Sequence, residues 1–202
     1  MKLYLFLLFV FPLFVEAQNL KPFKIYDHKK LEENNLKVYS EDGVISLTAV
    51  KPDVIKVYFS ALPDINYMVK TDKMVYVRVT QNLDDIFMQT DSLLIIINKL
   101  DFSIKYKSIK EKLFLANDVI IDKSKSFLNF KIGNGVKIYK SGKQLKDSNI
   151  SFKKQIELTS SENYSLILET DYKGFLKIDE SNNLQFKTNN HKLGYYFIAG
   201  NK

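Results

Sequence analysis

Two carboxylates held roughly 5 to 10 Å apart across a bond can divide the work of acid, base or nucleophile between them, so the acidic clusters come first. They are Glu32-Glu33, Asp84-Asp85 and Glu169 with Asp171. Each falls at a turn or strand end, where solvated charge is the expected state, and no catalytic pair is assigned to them. Proton transfer could instead use histidine beside a carboxylate. The two histidines are His28, in Asp27-His-Lys-Lys30, and His191, in Asn189-Asn-His-Lys192, and both read as exposed loop residues. Asp27-His28 alone is too small a set for a metal, and the chain has no cysteine, which removes disulfides, thiolate ligands and a thiol nucleophile. Gly133-Asn-Gly135 lacks the third glycine of a dinucleotide loop and reads as a turn. No cofactor or metal is therefore expected. Asn149-Ile-Ser151 and Asn163-Tyr-Ser165 fit the glycosylation acceptor pattern. The run Tyr195-Tyr196-Phe197 could stack on a ligand ring, but strand alternation sends Tyr195 and Phe197 to one face and Tyr196 to the other, as in ordinary core packing.

The elements that must position these residues are strands. Period-two runs rich in Val, Ile, Tyr and Phe recur from Val44 onward, and helical periodicity is nearly absent. The pattern predicts strands at 44–50, 54–60, 74–80, 86–89, 93–99, 103–107, 113–115, 127–132, 152–158, 164–169, 175–179, 184–187 and 195–199. Asp42-Gly43, Lys51-Pro52-Asp53, Leu62-Pro63-Asp64, Ser141-Gly142 and Lys173-Gly174 supply the reversals. So many strands exceed one flat sheet, and the expected fold is all-β, a two-sheet antiparallel β-sandwich. Leu93–Lys99, apolar at consecutive positions, is expected to be buried on both faces, and 132–151 to form a long loop. Residues 1–17 read as a signal peptide, since an apolar stretch follows Lys2 and Val15-Glu16-Ala17 resembles a cleavage site. Residues 18–41 read as a polar lead-in and 42–202 as the sandwich. A secreted or periplasmic protein, with no membrane span in its mature form, is expected. The net charge of +7 comes mainly from lysines scattered along strands, without the aromatic–basic motif of a nucleic-acid reader, so they read as a solvated face.

Several phrases resemble the N-terminal galactose-mutarotase-like domain, or supersandwich, of glycoside hydrolase family 31, the α-glucosidase and α-xylosidase family. Asp42 through Phe59 is similar to the opening hairpin, with Lys56 near the arginine of "ivRvr". Phe87 through Lys99 followed by Phe102–Tyr106 is similar to the threonine-led strand pair. Leu184-Gln-Phe186 and Leu193-Gly-Tyr-Tyr-Phe-Ile-Ala-Gly200 resemble "l.f....g.iDYYFi.G", with Gly194 where the family places aspartate. Ile156 through Leu168 is similar to "iPf..ss.gYgif.d". Between them the glutamate of the "yGlGE" turn is missing, and Asn149 runs almost directly into Phe152 where the family carries a loop toward its active site. In the family a catalytic (β/α)8 barrel follows the last phrase, and this sequence stops at Lys202. The resemblance thus implies an accessory domain without catalytic residues of its own, partnered by a barrel or by a second copy through an exposed apolar face. A free-standing carbohydrate-binding or protein-interaction sandwich is the alternative. Tyr195, Tyr196 and Asn149 are the candidate carbohydrate or barrel contacts, and no nucleic-acid partner is expected.

Overall fold

The computed structural model describes residues 25–61, 74–110, 112–121, 126–179, 183–189 and 192–200. His191, residues 1–17 and the expected turn at Leu62-Pro63-Asp64 lie outside them. Within them the strands are β1 (Tyr26–Glu32), β2 (Asn35–Ser40), β3 (Gly43–Lys51), β4 (Val54–Ser60), β5 (Arg78–Gln81), β6 (Asp85–Gln89), β7 (Leu93–Asn98), β8 (Ile104–Ser108), β9 (Leu113–Ile121), β10 (Ser126–Lys131), β11 (Ile138–Lys140), β12 (Lys143–Gln144), β13 (Ser148–Ser160), β14 (Tyr164–Ile178), β15 (Asn183–Thr188) and β16 (Lys192–Ala199). All described pairings are antiparallel, in the order β1-β2-β3-β4-β16-β14-β15-β10-β9-β8-β7-β6-β5, with β13 and the small β11/β12 hairpin joined to β14.

One hydrogen-bonded sheet becomes two packed layers because β14 changes neighbours along its length. Its first half, Tyr164–Glu169, pairs with β16, and its second half, Gly174–Ile178, pairs with β15. Between the halves the register with β13 jumps from Lys154↔Thr170 to Lys153↔Lys173, so Asp171 and Tyr172 are extra residues on β14. Such a bulge bends and twists a strand. Here it is the corner of the sandwich. Inner side chains of the two halves then meet: Tyr106 of β8 stacks on Phe197 of β16 at 4.3 Å, and Phe130 of β10 meets Tyr195 edge-on at 5.2 Å. At the far margin the two end strands of the path touch, Lys29 Nζ of β1 donating to Gln81 Oε1 of β5 at 2.7 Å.

Alternation writes this core. Leu36 and Val38, Ile45 and Leu47, Ile55, Val57 and Phe59, and Leu193, Tyr195 and Phe197 are fully buried, each in register with the next strand's apolar residue. Each large apolar side chain so buried contributes about 1.5–3 kcal/mol before entropy is charged against it. The expectation for β7 changes: Leu93, Ile95 and Ile97 are buried, while Leu94 and Ile96 are only half-buried. The strand has neighbours on both edges but a core on one face. The polar lead-in also differs. From Tyr26 onward it forms β1 and β2, which extend the sheet beyond β3. The expected loop at 132–151 holds β11 and β12, joined by Ser141 and Gly142 at φ 49° and 77°, a two-residue turn with both central residues left-handed.

Candidate binding face

Tyr195 is fully buried and offers no ring to a ligand. Its hydroxyl donates to Asn117 Oδ1 at 2.8 Å and shares a short hydrogen bond with the Tyr106 hydroxyl. Asn117 stands among the inward residues of β9, opposite Ile104 and Phe130, where an aliphatic side chain would suit the pattern. Burial raises the Tyr195 and Tyr106 hydroxyls far above the ordinary tyrosine value. This trio is a neutral polar knot in the core, tying β8, β9 and β16 together across the two layers. Sequence reasoning missed Asn117, and the only signal was a polar residue interrupting an apolar period.

Tyr196 faces the other way. Its hydroxyl accepts from Lys56 Nζ at 2.9 Å, and the same ammonium pairs with Glu169 Oε2 at 2.9 Å. Three strands build the cluster, with Tyr196 opposite Lys56, and Gly194 between Tyr58 and Glu169. The Lys56 side chain is 8% exposed and that of Glu169 33%. Glu169 of β14 reaches past Gly194 of β16, which has no side chain, and meets Lys56 of β4. A Cβ on Gly194 would lie 3.4 Å from Tyr58 Cδ2 and 3.9 Å from Glu169 Oε2, ordinary contacts. Tyr196 is therefore engaged in a structural ion-pair cluster.

Asn149 lies within β13, one residue from its start, so the strand runs on directly to Phe152 and beyond. Its rung crosses the sheet as Asn149–Lys177–Gln185–Asn129–Asp118. The adjacent rung is Ser151–Phe175–Lys187–Phe127. Gln185 Nε2 donates to Asn129 Oδ1 at 3.0 Å, and Lys131 pairs with Asp118 at 2.8 Å. Lys187 Nζ sits 5.2 Å from the Phe127 ring centre and Lys173 Nζ 5.0 Å from that of Phe175. Three grooves follow one another here. One of about 850 Å³ is lined by Lys140, Lys143, Lys146 and Asn149, and one of about 340 Å³ by Asn149, Phe175, Lys177, Gln185 and Lys187. A third, of about 390 Å³, shares Lys177 and Gln185 and adds Asn129 and Asp118. Lysines scattered in the sequence are thus gathered on one face.

The remaining candidates are held in local pairs. His28 is exposed, bonded to Asp27 at 2.9 Å and stacked on Tyr39 at 4.3 Å. Glu32 receives Lys30 at 2.6 Å and Lys37 at 2.8 Å, whose hydrogen bonds hold its carboxyl down at about 2. Asp85 Oδ1 accepts from Asn98 Nδ2 at 3.1 Å, and Asp171 is exposed at the corner. The acidic clusters do not converge. Among the described residues no group of three His, Asp or Glu side chains could hold a metal ion.

The class these features define is an all-β, antiparallel sandwich doubled from one sheet. Solved structures with this architecture include enzymes named for their action on sugars. The glycoside hydrolase family 31 dextranase of Flavobacterium johnsoniae, with isomaltotriose bound, matches with a TM-score of 0.77 at 16% identity over 90% of this chain and 27% of its own. The cycloalternan-forming enzyme of Listeria monocytogenes, in complex with a pentasaccharide substrate, gives 0.73 at 13% identity over 90% and 21%. A family 31 α-xylosidase from a soil metagenome, with xylose, gives 0.71 at 12% identity over 87% and 33%. The likeness is one of fold, and the resemblance read from the sequence is borne out at that level. The chain spans between about a fifth and a third of the length of these enzymes. No protein-family model and no curated protein matches the chain.

Proposed function

We propose that this chain is an accessory β-sandwich domain of a secreted carbohydrate-active protein of the family 31 type, working beside a catalytic (β/α)8 barrel and contributing no catalytic pair itself. The observation that carries the reading is the fold match over 90% of the chain to a part of several sugar-acting enzymes. Supporting it, the acidic clusters read from the sequence lie apart, Glu32 being paired with Lys30 and Lys37, Asp85 with Asn98 and Glu169 with Lys56. Secretion rests on the leader-like residues 1–17, with Gln18 as the mature N-terminus. Fold alone does not supply a ligand, so the partner has to be sought directly.

Reading the coding sequence beyond codon 202, together with the neighbouring genes, tests the proposal. A family 31 barrel in frame or at the same locus is the expected result, and N-terminal sequencing of exported protein should begin at Gln18. A locus encoding no such barrel overturns the accessory role.

A further inference from the structure

We propose that the outer face of β13, β14, β15 and β10 binds an acidic polysaccharide, with uronate carboxylates on the ammonium groups of Lys177 and Lys187 and sugar hydroxyls on Gln185 and Asn129. Lysines predominate on this face, and of the two aspartates in its third groove Asp179 accepts from the main-chain and side-chain nitrogens of Asn183 at 2.8 and 3.1 Å. Asp118 is committed to Lys131, and among the described residues Lys177 has no ion-pair partner. Lys140, Lys143 and Lys146 extend the basic character along the groove that shares Asn149.

The lysines are also pre-positioned. Phe127 holds the Lys187 ammonium, and Phe175, itself 39% exposed, holds that of Lys173. An ammonium resting on a ring gives up less side-chain freedom on meeting an anion. Lys177 and Lys187 stand diagonally, Lys177 opposite Gln185 and Lys187 two residues along β15. Strand spacing and rise put their Cα atoms about 8 Å apart.

The amides select a glycan over a nucleic acid. Gln185 gives one N–H to Asn129 Oδ1, which leaves Gln185 Oε1 as an acceptor and the Asn129 amide nitrogen as a donor. A pair of sugar hydroxyls complements one acceptor and one donor, whereas a phosphate backbone offers acceptors only. Binding of single strands also calls for bare aromatic faces on which bases stack, and here lysines occupy the two rings. The proposal goes beyond the accessory-domain reading and survives or fails independently of it.

The test is affinity electrophoresis of the purified chain through gels containing polygalacturonate, dextran or duplex DNA, at low and moderate salt. The wild type should be retarded by polygalacturonate and not by dextran. Lys177→Gln with Lys187→Gln should weaken that retention about tenfold, as expected for the loss of two exposed ion pairs. Gln185→Ala with Asn129→Ala keeps every charge and should still weaken polygalacturonate binding severalfold. Lys177 and Gln185 are exposed and Asn129 and Lys187 half-buried, and an unchanged thermal transition checks the fold. Retention by DNA equal to that by polygalacturonate and indifferent to the amide variants would mean simple cation exchange and overturn the proposal. Retention by dextran alone, or none by any polymer, overturns it as well. None of these results touches the coding-sequence test of the accessory role.

Discussion

Replacing Glu169 by glutamine removes a charge while keeping the side chain's shape, and it isolates what the Lys56 pair contributes. Breaking a fully buried pair costs about 3–5 kcal/mol, and an exposed one about 0.2–1 kcal/mol. With Lys56 8% and Glu169 33% exposed, the pair lies between these limits, and Tyr196 remains as an acceptor for the ammonium. We expect Glu169→Gln to lose about 1.5 kcal/mol in urea unfolding, or about 3–6 °C in Tm for a chain of this size. Gly194 makes the experiment sharper. The position has room for a Cβ and sits opposite both Glu169 and Tyr58, so Gly194→Asp brings a carboxylate to Lys56 from β16. Alone, this change sets two carboxylates on one lysine and should move stability by no more than about 0.5 kcal/mol, since a smaller unfolded-state freedom offsets the repulsion. Combined with Glu169→Gln it should restore about 1 kcal/mol. A double variant no more stable than the sum of the singles would refute the view that Glu169 stands in for the aspartate through the gap at Gly194.

Three further outcomes are expected. Gly43→Ala should cost about 3 kcal/mol or more in denaturant unfolding, because φ is 145° and the added Cβ would meet the Ser60 carbonyl oxygen at 2.0 Å; a variant as stable as wild type would contradict that geometry. Tyr195→Phe should cost about 1–3 kcal/mol by orphaning Asn117 Oδ1, and the apolar triple Tyr106→Phe, Tyr195→Phe, Asn117→Leu should recover most of it in calorimetry. Glu32, held down by Lys30 and Lys37, contributes stability that is complete above its unfolded value of 4.5 and lost as pH falls through about 2, so Glu32→Gln should flatten the pH–stability curve across that window.

How much of this was legible in the sequence depended on whether a strand buries a whole face. β4 coincides with its predicted span because Ile55, Val57 and Phe59 alternate without interruption. β1 was invisible: as an end strand with one neighbour it buries no residue fully, and its Lys–Glu sequence reads as solvated chain. The sequence pattern divides 164–179 into two strands, because Lys173-Gly174 reads as a turn. Instead the glycine is small because the Phe152 ring lies over it, where a Cβ would come within 2.5 Å of Cζ. Of the candidate contacts, alternation separates Tyr195 and Phe197 from Tyr196 without saying which face is inner, and the structure buries the first two. The Asn149 face could not be read, because β13, β14 and β15 supply one part of it and β9 and β10 another, and the β15–β10 pairing alone joins the two.

The position of β16 has a consequence for how the chain acquires its fold. β1 to β4 form a continuous meander that can assemble as soon as it leaves the ribosome, yet the partner of β4 is β16, the last described strand in chain order. Until β16 arrives, β4 presents an open edge and an apolar face bearing Ile55, Val57 and Phe59. Such an edge recruits other chains as readily as its own. Synthesis therefore sets more than 130 residues between the two strands, an interval in which the open edge of β4 is exposed to pairing with another chain.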